Sequence, residues 1–306
     1  MYFPYLRGKQ FELIALRELL AQNLLTEAII PVIEPVKASS TLLSVLVQFQ
    51  EKNHPIAVIQ NPRVAPYTPF DNEVVTQLKQ SDCFIPALFI NQADDLAQLG
   101  QFSNTQKMVI VTPGTRMSIP DNDSQWDDVL KLIAVENFHF LRRARGNVIE
   151  LEDSFNKAQR NADYLDVDDE LFSDNQRYFR DDGLSGFSDY SVVGKEYTAS
   201  GFAPMAVAIH VVYFDGENSL RIKHFVSDSN QDISDPAGKA GEALEKLVKW
   251  VQAPDFDHDK NDSQALASFI QMAGNGQYSG LGIIKKLSIQ HHLEIMGRYL
   301  TERYGA

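Results

Sequence analysis

The 306-residue sequence predicts a (β/α)8-type, TIM-like barrel, distorted by an inserted acidic segment and finished by a hairpin and helices. A short apolar segment recurs through the first half at nearly even steps. The stretches between carry the apolar spacing of helices, so parallel strands joined by right-handed crossovers are expected. After Arg145 the rhythm changes, and the length admits one large α/β domain over 1–306 or two smaller ones. A doubly wound parallel sheet is the alternative that spacing alone leaves open.

The recurring segment is seen in Phe3-Pro4-Tyr5-Leu6-Arg7, Ile30-Pro31-Val32-Ile33-Glu34 and Ile85-Pro86-Ala87-Leu88-Phe89. Without proline it continues in Ile56-Ala57-Val58-Ile59-Gln60, Met108-Val109-Ile110-Val111-Thr112 and Phe138-His139-Phe140-Leu141-Arg142. Its fifth positions step by 27, 26, 29, 23 and 30 residues, room for one strand, one helix and two loops. Proline at the second position suits a strand entrance, where a missing N–H costs least. Phe11 to Leu20 reads as an amphipathic helix. Ser40 and Thr41 before Leu42, and Asp123 and Ser124 before Trp126, read as helix N-caps. The regular repeats thus cover 1–145.

Residues 152–183 are acidic, with Asp163, Asp166, Asp168, Asp169, Glu170, Asp174, Asp181 and Asp182, and are expected to form a solvated insertion or lid. Residues 184–306 return to order. Gly186 to Val193 has strand character, and Met205 to Phe214 with Leu220 to Val226 makes a hairpin across Asp215-Gly216-Glu217-Asn218-Ser219. Helices follow near 236–252, 263–273 and 286–302.

Composition narrows the function. A formal charge of −13 disfavours nucleic-acid binding over most of the surface and suits a basic protein partner. The lone Cys83 rules out an internal disulfide and is expected to be buried and inert. No apolar run approaches the roughly 20 residues of a membrane span. Met1 to Arg7 lacks the layout of an export signal, so a cytoplasmic protein is expected.

Ligands of parallel α/β folds bind at the carboxyl ends of the strands. Those ends carry Arg7, Glu34, Gln60, Asn61, Asn91, Thr112, Arg142 and Asp189. Arg7 and Arg142, with Gln60 and Asn61, are candidates to hold a small anion, since guanidinium grips phosphate or carboxylate by paired hydrogen bonds. Glu34, Asp189 and, on the hairpin, His210 are candidates for acid–base work. The competing reading is that these charges pair with one another and seal the barrel end.

No cofactor or metal is predicted. Asp228 to Asp232 imitates a calcium loop, but Ile233 stands where glycine is required and Lys239 where glutamate is. The glycines of 274–282 lack P-loop spacing. His291 and His292 are adjacent, which does not suit chelation from one helix, and are expected to be exposed or at a core edge.

Tyr2-Phe3-Pro4-Tyr5-Leu6-Arg7-Gly8-Lys9-Gln10-x-Glu12-Leu13 with Ile30-Pro31-Val32-Ile33-Glu34-Pro35 resembles the "beta protein" family, named after a T-even bacteriophage protein. Gly186 to Tyr190, Val207 to His210, His224 to Asp228 and Lys285 to His292 fit the same resemblance. It implies a single unit and brings no established activity or catalytic residues. It also implies a role beside a nuclease-like protein, in phage–host conflict or a toxin–antitoxin pair. Two functions are therefore expected to compete. One is a partner or regulator of a nuclease-like protein. The other is a hydrolase or related enzyme acting on a phosphorylated or nucleotide-like ligand.

Overall fold

The computed structural model describes residues 1–64, 68, 73–116, 128–167, 169–199, 204–278 and 280–305. The expected N-cap at Asp123 and Ser124, and Asp168 of the acidic stretch, lie outside them. The chain divides into two compact units, Met1–Asp153 with Tyr178–Tyr190, and Ser154–Arg177 with Ser191–Gly305.

The first unit is the TIM-like barrel. Strands β1 (Tyr5–Leu6), β2 (Val32–Ile33), β3 (Ile56–Ile59), β4 (Phe84–Phe89), β5 (Met108–Val111), β6 (Leu130–Ala134) and β7 (Val148–Glu152) pair in chain order, every pair parallel. The eighth barrel strand is β9 (Gly186–Asp189), paired with β7. Helices α1 (Gln10–Ala21), α2 (Ser40–Glu51), α3 (Glu73–Lys79), α4 (Ala93–Leu99) and α5 (Phe138–Arg143) alternate with the strands. In α1, Leu13, Leu16, Leu19 and Leu20 are buried, the face its spacing implied. The N-cap of α2 is Ser39, one residue before the pair expected, and its hydroxyl accepts from Leu42 N–H at 3.2 Å.

Strand alternation fixes what fills the barrel. Phe3, Tyr5, Ile30, Val32, Ala57, Ile59, Ile85, Ala87, Met108, Ile110, Leu132, Ile149 and Leu151 share one buried cluster. Alternate residues face the helices, as where Val109, Val111 and Ile133 pack with Leu99. The ring is completed by a single parallel bridge between Tyr2 and Phe187. There Phe3 N–H donates to Phe187 O at 2.9 Å, and Phe187 N–H to Met1 O at 3.1 Å. Gly186 permits this contact, because a Cβ there would lie 2.6 Å from both Met1 O and the Phe3 ring.

The expected sixth strand at 138–142 is a helix, α5, and the true strand is Leu130–Ala134. Asn137 explains the helix: its side chain accepts from Phe140 N–H and caps the segment. Lys131 explains why the strand was hidden. A charge in an apolar run looks like a break, yet Lys131 is buried, with its ammonium donating to Val129 O.

The second unit is built on a three-stranded antiparallel sheet, ordered β10 (Ala208–Phe214), β11 (Leu220–Val226), β8 (Asp169–Ser173). The expected hairpin is present, with Asn218 at φ 65° in its turn. Helices α7 (Pro236–Val251), α9 (Gln264–Gly274) and α10 (Leu281–Tyr304) cover one face, burying Val207, Ile209, Val211, Ala243, Leu247, Phe269 and Leu287 together. The short α6 (Asn175–Tyr178) and α8 (His258–Asn261) complete the elements, with 3₁₀ turns at Asn161–Leu165 and Ser191–Val193.

The acidic segment is inserted between two barrel strands, as expected, but it is not a solvated cover. It supplies β8, and Tyr164, Phe172, Gln176 and Phe179 within it are buried. Two of its charges are matched within the sheet: Asp169 pairs with Arg221 at 2.5 Å and Lys223 at 3.7 Å, and Glu170 meets His224 at 3.3 Å. Charge counted along the sequence overstated its exposure.

Candidate functional site

The interior of the barrel changes character at the carboxyl ends of the strands. On β1 the inward alternation Phe3, Tyr5 leads to Arg7, and on β2 the alternation Ile30, Val32 leads to Glu34. Gly8, at φ +63°, then turns the chain into α1. A Cβ there would press on Ile33 at 3.2 Å and Glu34 O at 3.4 Å, so glycine both turns and clears the site.

Glu34 is fully buried and heavily satisfied. One carboxylate oxygen accepts from Tyr5 Oη at 2.7 Å and is ion-paired with the Arg7 guanidinium. The other accepts from the backbone N–H of Arg63 at 2.8 Å and of Val64 at 3.3 Å. The Arg7 guanidinium lies 5.0 Å from the Tyr5 ring and 5.2 Å from the Tyr190 ring. These rings are themselves 4.9 Å apart. Burial, then the neighbouring Glu34 carboxylate, push the Tyr5 phenol well above its ordinary range. Burial also pushes Tyr190 up to about 12; Arg7 opposes this, and Asp153, Glu136 and Glu34 reinforce it.

Arg63 stands differently. Its guanidinium lies 4.2 Å from the centre of the Phe89 ring and donates to Thr112 Oγ1 at 3.3 Å. It is exposed, and among the described residues no carboxylate pairs with it. Desolvation lowers its pKa while Tyr5, Glu34 and Asp95 oppose the change; an arginine starts high enough to stay charged. The mouth therefore offers a positioned cation at Arg63, a neutralised one at Arg7, and carboxylates at Glu136 and Asp153 beside Tyr190.

The other strand-end residues knit the loops. Asn61 exchanges two 2.9 Å hydrogen bonds with the backbone of Phe89, clamping β3 to β4. Thr112 N–H donates to Thr115 Oγ1 at 3.1 Å, and Asn91 N–H to Asp95 at 2.7 Å. The Asn137 amide donates to Thr112 O and Thr115 O.

Of the residues singled out from sequence, the structure brings Arg7 and Glu34 together, while Asn61 braces β3 against β4. Gln60 alternates with the inward Ile59 and donates to Val58 O in its own strand. Asp189 alternates with Tyr190 and faces away from the mouth, where it accepts from Tyr2 Oη at 2.6 Å. Tyr2 stacks on Phe187 at 5.1 Å, so Asp189 helps hold the barrel seam. Arg142 lies exposed near the end of α5, away from any strand end, because its segment is helical.

His210 belongs to the second unit. Its Nδ1 lies 2.7 Å from Nδ1 of His224, whose Nε2 lies 3.3 Å from Glu170. With both rings neutral, His210 donates to His224 and His224 to Glu170. Burial, then His224 and Lys285, lower His210 to about 3. His291 and His292 are fully buried, not exposed or at a core edge as expected. His291 bonds Ser263 at 2.7 Å and Val212 O at 2.8 Å, and His292 bonds Ser191 at 2.9 Å. Among the described residues no group of three or more His, Cys, Asp or Glu side chains could hold a metal. Nor is any helix among them long and apolar enough to cross a membrane.

Sequence reasoning missed Tyr5, Arg63, Glu136, Asp153 and Tyr190. Inward alternation would have found Tyr5, and Tyr190 two residues beyond Ser188. Glu136 and Asp153 needed the correct sixth and seventh strands, while Arg63 lies in a loop where periodicity carries no information. Compared with known proteins, the chain matches no family model, no curated protein and no solved structure.

Proposed function

We propose that the barrel mouth binds a small phosphorylated or carboxylate-bearing molecule through Arg63 and Arg7, and that Glu136 or Asp153 moves a proton on it. The observation that carries this reading is the Arg63 guanidinium, held over Phe89 beside Thr112 without a carboxylate partner among the described residues. A fixed guanidinium at the strand ends of a parallel barrel is suited to an incoming anion. Arg7 supplies the second positive charge, oriented by Glu34 and the two tyrosine rings. The substrate class that fits best is a nucleoside monophosphate or sugar phosphate, with phosphate at Arg63 and a hydroxyl towards Glu136 and Asp153. Calorimetric titration with nucleoside monophosphates tests it. Arg63→Ala should weaken binding about tenfold or more, as loss of a charge-assisted contact does. Unchanged affinity would refute the assignment.

One observation favours a second reading, that of a partner for a basic, nuclease-like protein. In the second unit Leu165, Val167 and Leu171 are exposed at 45%, 45% and 50%, in a stretch of sequence that also carries the exposed Asp166. Exposed apolar side chains in an acidic stretch suit a basic protein surface. Leu171→Glu should abolish complex formation with such a partner in co-purification. A complex that forms normally would rule out this patch.

A further inference from the structure

The second unit contains a cleft of about 430 Å³ formed by the Asn161–Leu165 turn, β11 and the end of α7. Its walls are aromatic. Tyr164 packs on His224 at 4.4 Å, and Trp250 packs on Phe225 at 5.4 Å, on Tyr213 at 5.1 Å and on Phe256 at 4.8 Å. Three lysines, Lys223, Lys246 and Lys249, line the same cleft. Two of them are neutralised: Lys223 by Asp169 at 3.7 Å, and Lys246 by Asp228 at 2.6 Å. Among the described residues Lys249 has no carboxylate partner within ion-pair distance, so one positive charge is left over. The His224 ring is buried behind the cleft wall with both nitrogens engaged, so it supplies neither a base nor a metal ligand there.

We propose that this cleft is a second binding site, separate from the barrel mouth, for a planar aromatic monoanion such as an aryl carboxylate. The ring lies on Trp250, the aromatic side chain of the lining that is only partly buried, and the anionic group meets Lys249. The volume falls within the range of small-molecule pockets, which are apolar with a few polar groups that set orientation. A single unmatched lysine favours one negative charge over two, because each further charge would face Asp169 or Asp228. In a chain of net charge −13, a locally cationic, aromatic cleft stands apart from its surroundings.

The test is calorimetry with naphthoate, the neutral naphthamide and acetate. Naphthoate should bind, naphthamide about tenfold more weakly, and acetate not measurably. Lys249→Gln removes the charge from an exposed side chain and should bring naphthoate down to the affinity of naphthamide. Trp250→Ala would disturb the packing of the unit, so Ala253→Leu, which fills the cleft from its rim, is the second variant; it should abolish binding without lowering the melting temperature. No naphthoate binding, equal affinity for naphthoate and naphthamide, or binding that survives Ala253→Leu overturns the proposal. Arg63→Ala leaves naphthoate binding unchanged, which separates this site from the mouth.

Discussion

The most deeply buried polar groups of the two units differ in kind. The barrel unit hides full charges and matches them: Glu34 with Arg7, Tyr5 and two backbone N–H groups, and Asp189 with Tyr2. The second unit hides neutral imidazoles, with His291 between Ser263 and Val212 O, and His292 against Ser191. A matched ion pair is fragile to mutation of either partner, whereas a buried neutral imidazole is fragile to acid. The same act, burying a polar side chain, thus gives each unit a different weakness.

The largest expected effect lies in the barrel. Glu34→Ala leaves the Arg7 charge, the Tyr5 phenol and two backbone donors without their acceptor, and should cost about 3–5 kcal/mol in thermal or denaturant unfolding. A loss below about 1 kcal/mol would mean that water replaces Glu34 readily. Next comes acid. An unfolded histidine takes up a proton near pH 6.5, but burial lowers His291 to about 4 and His292 to about 3, the latter also through His291. Between those values the unfolded chain binds more protons, so stability is present above pH 6.5 and falls as pH falls towards 4. Hydrogen exchange across that window should show α10 losing protection before the barrel strands. Barrel strands opening first would reverse the comparison.

A smaller effect is expected at the seam. Tyr2→Phe removes one donor from buried Asp189 and should cost about 1–3 kcal/mol by chemical denaturation. The smallest is Arg142→Ala. On the exposed side of α5 it should change the melting free energy by no more than about 0.5 kcal/mol and leave ligand titrations untouched.

These positions also show what could be read from sequence. Five of the six repeated segments are barrel strands because buried parallel strands are short and nearly all apolar, a signal that survives without coordinates. Arg7 and Glu34 were legible because they end such strands. The sixth strand was lost because Lys131 is buried against backbone carbonyls, which a residue string does not reveal. Asp189 misled through one step of parity: strand ends place residues on two faces, and only Tyr190 belongs to the mouth. Arg142 misled because Phe138 to Leu141 is apolar enough to pass for a strand while Asn137 caps it as a helix. The histidines of α10 looked peripheral because their partners, Ser263, Val212 and Ser191, are far away in sequence.

The central claim is that Arg63 grips the ligand while Arg7 braces the mouth. It is tested most directly by titrating nucleoside monophosphates into wild-type protein, Arg63→Ala and Arg7→Ala, each at a temperature where it is fully folded. The account predicts that Arg63→Ala melts like the wild type yet binds about tenfold or more weakly, and that Arg7→Ala melts early. Arg63→Ala protein that binds as tightly as the wild type would contradict it.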